Sequence, residues 1–182
     1  MIKLKFPKLA NILEKIPTPA WIADIIRYKV LYEYGGVYLD TDIRVIRSIE
    51  PLLTKFKSGF VVCERPRTSH VLMEVPCLVV CNAVIASNKN STFMKRVFAK
   101  CIKVTRKYLH TIEPEKLNSS FGSTIITGPS LMTNVHKKTE HPVIGSITFY
   151  PCDWSDRTKC VYELFVNGSE NISAMHQWRK SW

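Results

Sequence analysis

The chain is predicted to be an α/β protein with a mixed sheet flanked by helices, on three observations. Strand-length apolar runs alternate with helical patterns along its 182 residues, the arrangement that layers helices on a sheet. A mostly apolar helix over Ala20–Tyr34 opens after Pro19, stops at Gly35 and leads at once into a short strand, Val37–Leu39. An apolar content of 46%, with 10% aromatic residues, fills the core of one domain spanning residues 1–182.

Taken in order, the first helix carries Lys29 and Glu33 together on one side, an i, i+4 pair that water can cover. Asp24 and Arg27 fall nearly opposite, within an otherwise apolar surface. They either form an internal i, i+3 salt bridge or line a cleft for a polar, anionic ligand, which Arg recognises well. Ile43–Ile46 and Phe60–Cys63 read as strands around a turn at Glu50–Leu53. Val71–Ile85 is a β-rich stretch broken by Pro76. Thr92–Tyr108 is an amphipathic basic helix with Phe93, Val97, Cys101 and Val104 or Tyr108 inward. Residues 112–122 read as a loop, Ser130–Lys138 as a helix started by Gly128-Pro129, and Ile147–Tyr150 as a late strand. No repeat, low-complexity stretch or linker interrupts this order.

Asp40-Thr41-Asp42 is the most informative segment. Strand alternation sends both carboxylates to one side at the carboxyl end of Val37–Leu39, where open α/β sheets bind ligands. Two like charges this close are costly unless water or a cation lies between them. Hard divalent ions take such oxygens and commonly hold substrate phosphates as well. A solvated turn with two aspartates is the plainer reading of an isolated Asp-x-Asp.

The pattern does not stand alone. Ala-Asp-x-x-Arg-Tyr-x-x-Leu-Tyr-x-Tyr-Gly-Gly-Val-Tyr-Leu-Asp-Thr-Asp resembles the sugar-binding region of glycosyltransferase family 32, densely over residues 20–53. Ala23 departs from the serine that many members carry before the Asp. Asn82–Ser87, Thr127-Gly128-Pro129-Ser130-Leu131-Met132-Thr133 and the closing His176-Gln177-Trp178-Arg179-Lys180-Ser181-Trp182 resemble further family segments in the same order. Each is weak alone: a Gly-Pro is simply a helix start, and a lone His beside two Trp is more often core packing.

The resemblance implies a GT-A-like fold, a nucleotide-sugar donor carrying UDP or GDP, a Mn2+ or Mg2+ ion, and sugar transfer with retention to a glycan or glycolipid hydroxyl. By position, Asp42, Asp40 and His176 would hold the metal, with Asp40 also near the ribose. Ser181 and Trp182 would close over the diphosphate, Asp24 and Arg27 would hold sugar hydroxyls and the donor's phosphate side, and Asn82, Gly128 and Pro129 would lie towards the substrate. Family members carry an N-terminal segment that builds the base pocket. Only about twenty residues precede the Asp24 helix here, so the chain is expected to be an N-terminally truncated piece. An inactive nucleotide-sugar or carbohydrate-binding remnant is the alternative.

The net charge of +11 raises nucleic acid as a partner. The Lys and Arg residues form no dense block or RNA-binding signature, so no nucleic acid is expected. The six cysteines are not at zinc-site spacing. Cys152 and Cys160 bracket a short loop and form either a disulfide or buried thiols. Sequons at Asn90, Asn118, Asn167 and Asn171, against about one or two by chance, lean towards a secretory lumen. No signal peptide or membrane span is evident. The expectation is a Golgi membrane or lumenal protein whose anchor lies in the missing N-terminal part, and otherwise a cytoplasmic one.

Overall fold

The computed structural model describes residues 6–64, 77, 79–111, 122–151 and 172–176. Pro7–Leu13 forms a short first helix, α1, with proline in its first turn, where the missing N–H costs nothing. Helix α2, Pro19–Tyr34, starts at a second proline and ends at Gly35. Gly35 has φ +70°, and a Cβ there would lie 2.6 Å from the Lys89 nitrogen. Only glycine fits this turn, which delivers the chain straight into strand β1, Gly36–Leu39.

Strand β2, Ile43–Val45, is followed by helix α3, Glu50–Lys55. The turn expected at Glu50–Leu53 is thus helical, since Pro51 sits where a helix tolerates it best. Strands β3, Gly59–Cys63, and β4, Val80–Ser87, are buried along their whole length. Helix α4, Thr92–Thr111, precedes a π-helical turn at Gly122–Thr127, helix α5 at Pro129–His136 and a short strand β5, Val143–Ile144. Strand β6 is Ala174–His176.

The expected late strand at Ile147–Tyr150 is absent. Ser146–Thr148 forms a 3-10 turn instead, and the backbone N–H of Tyr150 donates to the Ser146 carbonyl at 2.6 Å. Phe149 and Tyr150, consecutive residues, both enter the same apolar cluster, which an alternating strand cannot do. The β-rich stretch expected from Val71 begins among the described residues at Val80, and residues 71–76 lie outside them.

The main sheet has the order β1-β4-β3-β5, antiparallel except for the parallel pair β3–β5. A separate antiparallel pair joins β2 to β6. Helices α1, α2, α4 and α5 cover one face, where Trp21, Ile25, Tyr28, Met94, Val97 and Met132 pack with Val61 and Ile85 of the sheet. Burying each large apolar side chain of this set contributes about 1.5–3 kcal/mol. The other face holds Phe60, Val62, Val84, Phe149 and Tyr150, with Leu52 and Leu53 of α3 against it. These are the α/β layers that the sequence predicts.

Helix α4 buries Phe93, Val97 and Cys101 as expected; Met94 and Thr105 are buried with them, while Val104 and Tyr108 are half-buried. Cys63 and Cys77 form a disulfide. The pairing considered for Cys152 and Cys160 lies outside the described residues.

Candidate functional site

Two local irregularities build the site. Between β3 and β4 the register jumps from Val61↔Ile85 to Val62↔Cys81, leaving residues 82–84 of β4 as a bulge. Ala83 and Val84 consequently both face the same cluster, while Asn82 is freed to turn towards α2. Bulges commonly re-aim side chains beside active sites in this way. Its carbonyl accepts from Arg27 Nη1 at 2.7 Å, and its Nδ2 donates to Asp24 Oδ1 at 2.8 Å and to the Tyr28 hydroxyl at 3.1 Å.

The second irregularity is the end of β1. The Asp40 N–H donates to the Ala83 carbonyl at 2.9 Å, and the Ile43 N–H closes a turn on the Asp40 carbonyl at 3.0 Å. Asp40 and Asp42 are thus brought together by a tight turn and not by strand alternation. Pairing of Ile43 with His176 across β2–β6 then places the imidazole beside them: His176 Nε2 is 3.2 Å from Asp42 Oδ1. One ligand atom each from Asp40, Asp42 and His176 lies within 4.8 Å of the others.

Asp24 and Arg27 satisfy both alternatives left open by their spacing. They form an i, i+3 ion pair at 3.0 Å with 4% and 7% of each residue exposed, and they also line a cavity of about 170 Å³ with Ala20, Ala23, Asp40, Asn82, Thr124 and Pro129. Thr127 Oγ1 donates to Asp24 Oδ2 at 2.7 Å, and the Tyr28 hydroxyl donates to the Thr127 carbonyl at 2.7 Å. Burial lifts the Asp24 pKa to about 6, against the opposing pull of Arg27 and the Thr127 hydrogen bond.

Arg27 links this network to the aspartate turn. Its Nη1 lies 3.1 Å from Asp40 Oδ1, and its guanidinium stacks 4.3 Å over the Tyr38 ring. The Tyr38 hydroxyl donates to the same Asp40 oxygen at 2.6 Å, so among the described residues Arg27 and Tyr38 both engage Oδ1 and leave Oδ2 for another partner. The carboxylates raise the Arg27 pKa despite its burial, and it stays a cation.

Of the residues singled out from the sequence, Asp24, Arg27, Asp40, Asn82 and Pro129 share this cavity, with Gly128 buried at the start of α5 beside Pro129. Asp42 and His176 adjoin it through Asp40. Ser181 and Trp182 lie outside the described residues. Tyr28, Tyr38 and Thr127 escaped the reading of single residues; the tyrosines look like core aromatics in the sequence, and only their contacts with charged and polar groups mark them.

Residues 2–58 match the family described as "Glycosyltransferase sugar-binding region containing DXD motif". A 31-residue stretch is 55% identical to inositol phosphoceramide mannosyltransferase 3 of Schizosaccharomyces pombe and covers 17% of this chain and 9% of that protein. A 52-residue stretch is 42% identical to mannosyl phosphorylinositol ceramide synthase SUR1 of Saccharomyces cerevisiae, over 29% of this chain and 14% of that protein. The matched stretches thus span a small part of these relatives. Residues 2–58 include Asp24, Arg27, Asp40 and Asp42, and over that stretch the chain is similar to the sugar-binding region of glycosyltransferases with a DXD motif.

Proposed function

We propose that the chain is the metal- and sugar-binding part of a metal-dependent glycosyltransferase that moves a sugar, mannose by analogy with the relatives' names, from a nucleotide-sugar donor to a glycan or glycolipid hydroxyl. The observation that carries this reading is the sharing of Asp40 between the Asp42–His176 cluster and the Asp24–Arg27–Asn82 cavity. One residue thereby joins a place for a diphosphate-bound ion to a place for a sugar.

The donor set fits a divalent cation. Two carboxylates and one imidazole suit Mn2+ or Mg2+, and Asp40 Oδ2 makes no hydrogen bond among the described residues. Such an ion would stabilise negative charge on the departing nucleoside diphosphate. The cavity suits a sugar ring better than a whole nucleotide sugar, whose pockets are several-fold larger. Asp24, with lone pairs beyond those used internally, accepts from sugar hydroxyls, and Arg27 supplies positive charge on the phosphate side. By position Ser181 and Trp182 contact the diphosphate, and Asn82, Gly128 and Pro129 border the substrate.

In a retaining transfer the bond from the anomeric carbon to the phosphate oxygen breaks and the bond to the acceptor oxygen forms on the same face. The acceptor proton passes to the departing phosphate oxygen, so no protein base is required. A lumenal Golgi setting accords with the sequons and the Cys63–Cys77 disulfide. Among the described residues no helix is long and apolar enough to cross a membrane.

Manganese titration followed by calorimetry tests the site. Asp42→Asn and His176→Ala should each weaken binding by about tenfold or more with unchanged circular dichroism. Wild-type affinity in both variants would remove the proposed ligand set.

A further inference from the structure

Helix α4 carries six cations and no carboxylate. Lys95, Arg96, Lys100, Lys103, Arg106 and Lys107 are all exposed and fall within an arc of about 140° along about 18 Å of helix. The opposite arc, with Met94, Val97 and Cys101, is locked into the core. Among the described residues none of the six is in an ion pair. Like charges at i, i+4, such as Arg96 with Lys100 and Lys103 with Lys107, repel one another. Near the far end of the stripe, a cleft of about 470 Å³ adds Lys15, Arg106 and His110 around the apolar side chains of Ile12 and Leu109. At the near end Arg96 donates to the Lys138 carbonyl at 3.4 Å, bringing exposed Lys137 and Lys138 alongside.

We propose that this face is a membrane-docking surface that seats the protein on anionic phospholipid headgroups. Charge complementarity supports that occupant, since the stripe is long, single-signed and uncompensated. Its shape supports it as well. A helix whose back is buried along its length can lie flat on a surface and present all six cations to it at once. The cleft, cationic at its rim and apolar within, matches a phosphate attached to a hydrocarbon chain. The surface needs no spanning helix and stands independently of the proposed transferase chemistry, because none of its residues belongs to the Asp40 site.

Cosedimentation of the full chain with vesicles tests this. The comparison is phosphatidylcholine alone against phosphatidylcholine with phosphatidylserine, at about 0.1 M and about 0.5 M salt. Binding should require phosphatidylserine and be lost at the higher salt. Each cation near an anionic surface contributes about fivefold, so Arg96→Gln/Lys100→Gln/Lys103→Gln/Arg106→Gln should weaken binding by roughly 600-fold. A control, Lys55→Gln/Lys57→Gln, should bind like wild type. Equal binding to both vesicles, or full binding by the fourfold variant, would overturn the proposal. Tighter binding to duplex DNA or RNA than to the anionic vesicles, lost in the same variant, would also overturn it in favour of a nucleic-acid surface.

Discussion

Replacing Arg27 with methionine preserves much of the side-chain volume while removing the charge that holds the site together. Three contacts vanish: to the Asn82 carbonyl at 2.7 Å, Asp24 at 3.0 Å and Asp40 at 3.1 Å. Asp24, only 4% exposed, is left with Thr127 and Asn82 as neutral donors. Breaking a buried ion pair from one side costs about 3–5 kcal/mol, and that is the destabilisation expected at pH 8. The pH dependence carries the sharper test. In the wild-type fold Asp24 has its pKa lifted to about 6 by burial, from 3.8. This group's contribution to stability is therefore fullest below pH 3.8 and is lost as pH rises through about 6. Without Arg27 the pKa rises further, by roughly two units. The variant's deficit should then be about 2 kcal/mol smaller at pH 5, where Asp24 is protonated, than at pH 8. Urea denaturation at both pH values measures the difference. Equal deficits at both would refute the claim that Arg27 serves to neutralise a buried carboxylate, and Asp24→Asn in the same chain should recover most of the pH 8 loss.

Gly35→Ala forces a side chain into a φ of +70° against the Lys89 backbone and should cost about 3 kcal/mol or more, seen as a lowered urea midpoint. His141 stacks on Phe93 at 4.1 Å, and burial, with His136 beside it, lowers its pKa to about 4. Its contribution is present above its ordinary value of 6.5 and is lost as pH falls through about 4. His141→Phe should therefore remove about 1–2 kcal/mol of acid lability, after allowance for its partial exposure; an unchanged acid midpoint would contradict this. Cys63→Ser opens a cross-link with a sequence separation of 14 and should cost about 3 kcal/mol, with dithiothreitol lowering the wild-type urea midpoint to a similar degree.

The parts of the fold written in local chemistry were readable from the sequence. Proline and glycine bracket α2, the apolar strand follows at once, and the i, i+3 spacing of Asp24 and Arg27 offered an internal pair or a cleft, both of which the fold contains. Lys29 and Glu33 do pair as their spacing predicts, although Phe6, Tyr32 and Phe98 rings surround the Lys29 ammonium where water was expected. Features set by pairing between distant segments were not readable. The bulge at residues 82–84 depends on β3 registering against β4. The approach of His176 to Asp42 depends on β6 meeting β2, which the resemblance to family segments anticipated and no local pattern could. The Cys63–Cys77 bond joins the end of β3 to the segment before β4, a proximity that no local spacing shows. The run at Ile147–Tyr150 misled because consecutive apolar residues fit a buried turn as well as a strand.

The turn at Asp40–Asp42, with His176, is proposed as a cation-dependent site for the diphosphate of a nucleotide sugar. Calorimetry of UDP and GDP with this chain, in manganese and then in chelator, tests it most directly. One nucleotide should bind in manganese, chelator should abolish the binding, and Asp42→Asn should reproduce the loss while the fold is retained. Binding that persists unchanged in chelator or in Asp42→Asn, or no binding of either nucleotide by the folded chain, would contradict it.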